Sequence, residues 1–414
     1  MSETFPTSIL GELATLTMGQ SPDSASVNSV EAGLPFLQGC AEFGARFPEP
    51  RVHCSPPLRV AKSGSSLISV RAPVGTTNQA DQDYCIGRGL GAVLAKPGVA
   101  DDVFLLHAIE ANLAFLHRRS QGSTFLAIGS KDLYSLPVPA LDLATQQQIA
   151  AILSTLDETI EQTEALIAKM QQVKAGMMYD MFTRGVPPDG QLRPTREQAP
   201  DLYKKSSLGW IPKEWEVFLI SEVFEIQLGK MLNKLAKTGK WSAPYLGNRA
   251  VQWDFVDCLA IEEMDFNPVE RLKFTLLPGD LLVCEGGDVG RTAMWRGETE
   301  DCFYQKAIHR LRPKLDKVLP AFMLRFMRFA RDNGYFREFT SQSSIAHLTQ
   351  EKLGAIPMLL PKSDEQGRII DRFDSVDELI LSELLKLSKL RQQKHGLMRD
   401  LLTGRVRVSE LTDV

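Results

Sequence analysis

Long apolar runs, paired metal-ligand motifs, nucleotide-binding loops and a surplus of positive charge are all missing from this 414-residue chain. No run of roughly 18 consecutive apolar residues occurs, so no membrane-crossing helix is expected. The opening MSETFPTSIL has neither the basic nor the apolar segment of a secretory leader, and a cytoplasmic protein is expected. The six cysteines (Cys40, Cys54, Cys85, Cys258, Cys284 and Cys302) form no C-x-x-C pairs. Buried free thiols suit that pattern, and His53 beside Cys54 falls short of a four-ligand zinc site. His107, His117, His309, His347 and His395 show no metal spacing either, and none has an evident nucleophile partner. No G-x-x-x-x-G-K-[ST] loop occurs: GGDVGRT (286–292) lacks the lysine and reads as a strand-end turn. GRGLG (87–91) lacks dinucleotide-binding spacing, and NPVE (267–270) fails the Pro-Pro-aromatic pattern that adenine methylases use to hold a flipped base. A chain without a catalytic, metal or cofactor site is therefore expected. At a net charge of −4, any contact with nucleic acid must rest on local faces.

What the chain does have is a repeat. KAGMMYDMFTRGV (174–186) returns as KHGLMRDLLTGRV (394–406), and residues 133–186 align without a gap on 353–406, with about 15 of 54 positions identical. Leu133 meets Leu353, Pro137 meets Pro357, Gln146 meets Gln366, Asp157-Glu158 meets Asp377-Glu378, and Lys174 meets Lys394. Upstream the match weakens and the offset shrinks, as loop insertions would cause. LPFL still falls on APYL, and SGSSLISVRAPVG (63–75) on PGDLLVCEGGDVG (278–290). Glu12 and Gly19 fall on Glu222 and Gly229. The chain is a tandem duplication of one unit, a variable domain followed by a well-matched helix.

In that helix the apolar residues step by three and four. The first copy runs through Ile149, Leu153, Leu156, Ile160, Ile167, Met170, Met177 and Met181; the second through Ile369, Phe373, Val376, Ile380, Leu384, Leu387, Leu390, Leu397 and Leu401. A period near 3.5 sustained this long predicts a coiled-coil seam, and each helix would extend roughly 50 Å. Neither helix buries such a stripe alone, so the two are expected to pack on each other. Prolines precede both starts, with Thr145 or Ser363 and Asp364 as candidate N-caps. The variable domains carry short strands such as SLISV, LLVCE and KAIHRLRP, and one late helix each (DVFLLHAIEANLAFLHRR and LPAFMLRFMRFARDNG), a mixed α/β pattern. Basic residues cluster near the repeated glycine turn: Arg71 and Arg88 in the first copy, Arg291, Lys306 and Arg310 in the second.

The duplicated unit, the restart LGWIPKEWEV (208–217) and the ending KHGLMRDLLTGRV resemble the DNA-specificity subunits of type I restriction-modification enzymes across essentially the whole chain. The resemblance implies an α+β fold: two mixed α/β target-recognition domains joined by two long antiparallel coiled-coil helices, with pseudo-two-fold symmetry. The expected boundaries are 1–141 (first recognition domain), 142–184 (central helix), 185–207 (linker), 208–361 (second recognition domain), 362–404 (distal helix) and 405–414 (tail). Each recognition domain would read half of a bipartite double-stranded DNA site. Two modification subunits would bind the scaffold and bring S-adenosylmethionine, while restriction subunits would bring ATP and magnesium. Candidate DNA contacts, chosen for polar loops able to reach bases or phosphates, are Gln38, Lys62, Ser63, Arg71 and Arg88, then Lys230, Asn248, Arg249, Arg291, Lys306 and Ser343. A structural coiled-coil protein, a DNA-binding regulator acting alone, and a subunit serving a fused methylase-nuclease remain the alternatives.

Overall fold

The computed structural model describes residues 5–120, 127–232, 238–314, 316–337 and 347–408. Of the candidate site residues, only Ser343 lies outside them. The chain divides into two compact units, residues 1–167 with 382–414, and residues 168–381.

In the first unit a four-stranded antiparallel sheet runs in the order Ala14–Met18, Leu90–Ala95, Ser66–Ser69, Thr77–Gln79. The second unit repeats this order with Phe224–Leu228, Ile308–Pro313, Leu281–Cys284 and Thr292–Met294. Every residue of Ser66–Ser69 and Leu281–Cys284 is buried, which is why these strands read as unbroken runs instead of alternating. Each unit has a second sheet built around one short parallel pair, Leu34–Leu37 with Tyr84–Ile86 and Ser242–Leu246 with Phe303–Tyr304. The turns after the buried strands are equivalent as well: Gly75 N–H donates to Ser69 O (2.9 Å) and Gly290 N–H to Cys284 O (3.1 Å). Both glycines have positive φ (+95° and +79°), a conformation that an L side chain resists, so the sequence match at these positions is a backbone requirement.

The cores differ in material. The first unit packs Leu10, Ile68, Val93, Phe104, Leu105, Ile109, Ile149, Leu153 and Leu401. The second is richer in rings: Phe182 lies 4.9 Å from Phe329, 5.3 Å from Phe322 and 5.8 Å from Phe326 between ring centroids. Helix Asp102–Ala111 supplies one wall of the first core and helix Pro320–Asp332 the corresponding wall of the second. DVFLLHAIEANLAFLHRR was expected as a single helix; it is two, because the chain breaks at Asn112 before Leu113–Arg119.

The long helices span Leu143–Thr183 and Ser363–Thr403. Thr145 is not the N-cap of the first. Asp142 is: its carboxylate accepts Thr145 N–H (2.9 Å) and the Thr145 hydroxyl (2.8 Å), satisfying an orphan donor of the first turn and holding the Asp142 carboxyl below its usual range. Ser363 stands inside its helix instead of capping it. Ile149, Leu156, Ile160, Ile167, Met170, Met177, Ile369, Val376, Ile380, Leu387, Leu390 and Leu397 are all buried or half-buried. Thr163 and Lys174, with Glu383 and Lys394 in the second copy, continue the same three-and-four spacing but are polar. Within the first unit Lys394 Nζ meets Asp157 Oδ1 at 2.6 Å; within the second Lys174 Nζ meets Asp377 Oδ1 at 2.5 Å. Lysine and aspartate have exchanged copies between these two pairs.

Segment 185–207, expected only as a linker, is tied down. Val186 N–H (2.9 Å), Trp215 Nε1–H (3.1 Å) and the Arg193 guanidinium all converge on the Glu365 carboxylate, and Arg193 and Glu365 are both buried. A buried charge needs such a complete set of partners to offset its desolvation. Gly185 (φ +66°) makes room for the knot, since a Cβ there would collide with Glu365, Trp215 and Arg193.

The clearest repeated device is a fully buried glutamine at the start of each long helix. Gln146 Oε1 accepts Asp101 N–H (3.0 Å), and its amide donates to Leu141 O (2.8 Å) and Val99 O (3.2 Å). Gln366 Oε1 accepts Leu319 N–H (2.9 Å), and its amide donates to Pro361 O and Lys317 O (both 2.8 Å). Each glutamine joins its helix to the segment that starts the domain helix. Replacing either with Ala removes three hydrogen bonds to part-buried backbone groups and is expected to cost about 1–3 kcal/mol in all. Urea unfolding of Gln146→Ala and Gln366→Ala should show both losses; an unchanged midpoint in either would refute the role.

Candidate nucleic-acid interface

In each unit one surface corner collects the loops that follow three strands. In the first, Leu37 O accepts Gly87 N–H (2.7 Å) and Ile86 O accepts Gln20 N–H (3.0 Å), which places Gln20, Gln38 and Arg88 together at the strand ends. In the second, Leu246 O accepts Gln305 N–H (3.1 Å) and Tyr304 O accepts Lys230 N–H (3.1 Å), so Lys230, Gly247 and Lys306 take the matching places, with Asn248 and Arg249 next along the chain. The next link is conserved between the copies too: Val70 N–H donates to Gly89 O and Glu285 N–H to Ala307 O, both at 2.9 Å. Arg71 and Arg88 therefore flank one shared backbone hydrogen bond.

Arg88 and Lys306, each leaving the short parallel strand at the same point, are structurally equivalent exposed cations. Ala307, directly after Lys306, holds φ +98° where the first copy has Gly89. A non-glycine residue there carries strain of order 1–3 kcal/mol, which the neighbouring hydrogen bonds must hold in place. Arg71, Arg88, Arg249 and Lys306 are exposed, and among the described residues their side chains form no ion pair. They are the cations left available to a phosphate or a base edge.

Other candidates are committed elsewhere. Lys62 pairs with Asp83 at 2.6 Å, and Ser63 donates its N–H to Asp83 (2.9 Å) and its hydroxyl to Asp81 O (3.0 Å). Hydrogen bonding from Lys62 and Ser63 holds the Asp83 carboxyl below its usual range. Asp83 precedes strand Tyr84–Ile86 and Arg88 follows it, so Lys62 and Ser63 sit at the opposite strand end, about 10 Å away at 3.3 Å per residue. Lys230 donates to Asp265 O (2.5 Å) and Glu270 Oε2 (2.6 Å); burial pushes the Glu270 carboxyl up, but Lys230 and Asn267 N–H hold it down. Arg291 Nη2 donates to Asn248 O at 2.7 Å, and Asn248 Nδ2 donates to Gly286 O at 3.1 Å, so this pair braces the corner from inside. Arg310 is buried against Glu225 at 2.8 Å. Gln20 and Gln305 were not anticipated. For Gln20 the signal was available in the match of Gly19 with Gly229, one residue before Lys230.

Among the described residues no side-chain cluster suggests catalysis. Cys54, Cys85, Cys284 and Cys302 are buried, although Cys258 is exposed, contrary to the expectation for all six. Burial pushes the Cys54 and Cys284 thiols up to about 11, far from the thiolate a nucleophile needs. Among the described residues no group of His, Cys, Asp and Glu could hold a metal ion, and no helix is long and apolar enough to cross a membrane.

Two copies of one fold each present loop cations and amides at the ends of equivalent strands. The family model of the type I restriction modification DNA specificity domain matches residues 59–172 and 212–391, well over half of the chain, and the chain belongs to this family. The type I restriction enzyme MjaVIII specificity subunit of Methanocaldococcus jannaschii is 25% identical over 340 residues, 76% of this chain and 73% of that protein. The provisionally named MjaX specificity subunit from the same organism is 37% identical over 168 residues, which span 41% of this chain and only 40% of that relative's length. Among solved structures, the S subunit of a type I restriction-modification system from M. genitalium covers 96% of both chains (TM-score 0.57, 16% identity). A chain from a structure of type I R-M complex assembly and conformational transition covers 97% of this chain and 98% of its own (TM-score 0.62, 16% identity). At that identity these two neighbours speak for the α+β fold alone.

Arg88→Ala and Lys306→Ala should each weaken DNA binding and lower the salt slope of the binding constant by about one, with little change in melting temperature. Lys230→Ala should instead lower the melting temperature. A filter-binding titration at several salt concentrations that shows the reverse assignment would overturn this sorting.

Proposed function

We propose that this chain is the reader and scaffold of a type I restriction-modification complex. Its two variable domains each recognise one half of a bipartite double-stranded DNA site through the corners around Arg88 and Lys306. The observation that carries this is the equivalence of those corners: one hydrogen-bonded frame, built twice, with different side chains mounted on it. Changing mounted side chains while keeping the frame changes which bases are contacted.

The two long helices pair antiparallel as a coiled-coil spacer between the readers. Support comes from the contacts inside each unit: Lys394 meets Asp157 and Arg391 meets Glu164 (2.5 Å) in the first, so numbers rise on one helix as they fall on the other. The exchanged pair Lys174–Asp377 in the second unit is what pseudo-two-fold symmetry between antiparallel copies would produce. Polar residues at Thr163, Lys174, Glu383 and Lys394 would specify the register at some cost in stability.

The chain catalyses nothing itself. Two modification subunits bring S-adenosylmethionine and methylate adenine, and restriction subunits bring ATP and magnesium. These partners also share phosphate neutralisation, which reconciles DNA binding with a net charge of −4.

Co-expression with the candidate modification subunit, followed by mapping of N6-methyladenine in the host DNA, tests the assignment. A single bipartite motif is expected, and replacing residues 208–360 with the equivalent segment of a relative should change one half of it only. Methylation without a bipartite motif, or a change in both halves, would defeat the reading.

A further inference from the structure

Directly after the corner, both units carry the same hairpin. In the first, Glu49 N–H donates to Glu42 O (2.7 Å), Phe43 pairs antiparallel with Pro48, and Gly44 N–H donates to Phe47 O (3.1 Å). In the second, Asp257 N–H donates to Ala250 O (2.7 Å), Val251 pairs antiparallel with Val256, and Gln252 N–H donates to Phe255 O (3.0 Å). Residues 42–49 therefore match 250–257 one for one, and phenylalanine, at Phe47 and Phe255, is the single identity between the two stretches. Successive residues of a hairpin face opposite sides. Pro48 and Val256 are buried, while Phe47 and Phe255 just before them face solvent, 37% and 59% exposed. Core packing does not account for either ring, because the hairpins meet the interior through Phe43 in one unit and through Val251 and Val256 in the other.

Both tips are held against the edge strand that follows the repeated glycine turn. Asn78 Nδ2 donates to Gly44 O (2.9 Å) in the first unit, and Asp254 N–H donates to Thr292 O (3.0 Å) in the second. Trp253 Nε1–H reaches the glycine turn itself at Asp288 Oδ2 (2.6 Å), with the Arg328 guanidinium 4.3 Å from its ring centroid. Arg46 lies over the Phe47 ring at 5.3 Å and pairs with Glu158 at 3.5 Å. The feet of the hairpins meet the corners. Gly39 N–H donates to Glu42 Oε2 (3.2 Å), and Asp257 lines one cavity together with Arg249 and Gln305. Each exposed ring therefore stands on a braced support that is continuous with the loops carrying Arg88 and Lys306.

We propose that Phe47 and Phe255 are apolar wedges, each of which enters and partly unstacks one base step of a DNA half-site beside the bases contacted from the corner. The proposal rests on the reading that each variable domain reads one half-site. An aromatic ring can stack on any base, so its contact tolerates changes of sequence. That tolerance accounts for the same residue in two copies whose corner side chains differ. Phenylalanine is among the side chains that enter base steps and kink a duplex, and the cost of unstacking is offset by the protein surface that the kink brings into contact. A wedge must be stiff to do this, and the bonds at Gly44 O and Asp254 N–H hold each tip in place. The carboxylates that touch the tips are matched by cations, Glu158 by Arg46 and Asp254 by Arg328 (3.0 Å), which limits their repulsion of phosphates.

The test uses the full chain with its modification subunits and a duplex carrying the mapped motif, with 2-aminopurine placed in turn at each position except the methylated adenine and its neighbours. Binding should raise the fluorescence at one step in each half-site, where a base loses its stacking partner. Phe47→Ala should abolish the signal in one half-site only and Phe255→Ala in the other, each with binding about tenfold weaker. The salt slope should stay as in the wild type, because an uncharged contact releases no counterion, in contrast to Arg88→Ala and Lys306→Ala. Phe255→Leu, which keeps an apolar wedge, should retain most of the affinity. A silent scan of the wild-type complex, or unchanged affinity in both Ala variants, overturns the proposal, and the wild-type scan decides it should a variant fail to fold. Loss of the modification subunits from a variant chain that still binds DNA normally would assign the rings to a protein contact and overturn it as well. Failure to find a bipartite motif would remove the underlying reading, whereas an intact motif with a silent scan would remove only this inference.

Discussion

A helix with a narrow apolar stripe cannot satisfy it alone, and the rest of this protein is arranged around that constraint. The stripe of Leu143–Thr183 and that of Ser363–Thr403 are copies of one another. The polar residues set into them, Lys174 and Lys394, each find an aspartate within the same unit. An apolar stripe alone would tolerate slippage by a heptad; a half-buried lysine paired with an aspartate of the other long helix does not. Within each unit the buried glutamine then ties the start of a long helix to the segment that opens the domain helix.

The two mountings have the same hydrogen bonds but different charges. Gln146 and Gln366 repeat their contacts nearly to a tenth of an ångström at two of three bonds, because both act on backbone groups that the fold supplies in each copy. The side-chain clusters above them have diverged: Arg46 against Glu158 in one unit, Asp254 against Arg325 and Arg328 in the other. Duplication preserved the backbone frame and left the polarity of each joint free to change, as it left the exposed corners around Arg88 and Lys306 free to change. This separation of frame from surface is what a family of readers with different targets requires.

Much of this was legible in the chain. The repeat, both long helices and most of the stripe followed from spacing, because helical burial imposes a period on sequence. The stripe's polar members were not legible, since a period read from apolar residues is blind to Thr163 or Lys174. Gln146 and Gln366 were visible as a matched pair, but nothing in the match said that both are fully buried and bonded to the domain behind them. Among the candidate DNA contacts, Arg88 and Lys306 proved exposed. Lys230 and Arg291 looked the same in sequence and are spoken for, by Glu270 and by the Asn248 carbonyl.

The sequence by itself determined what depends on near neighbours along the chain: the helical period, the positive-φ glycines at repeated turns, and the lack of any nucleotide loop or metal spacing. Only the tertiary structure decided which charges are free and which are consumed. That outcome depends on groups far apart in the chain, such as Glu365 with Arg193 or Lys394 with Asp157, which folding brings within a few ångströms. At that range burial and Coulomb attraction outweigh anything a residue's own neighbours can impose.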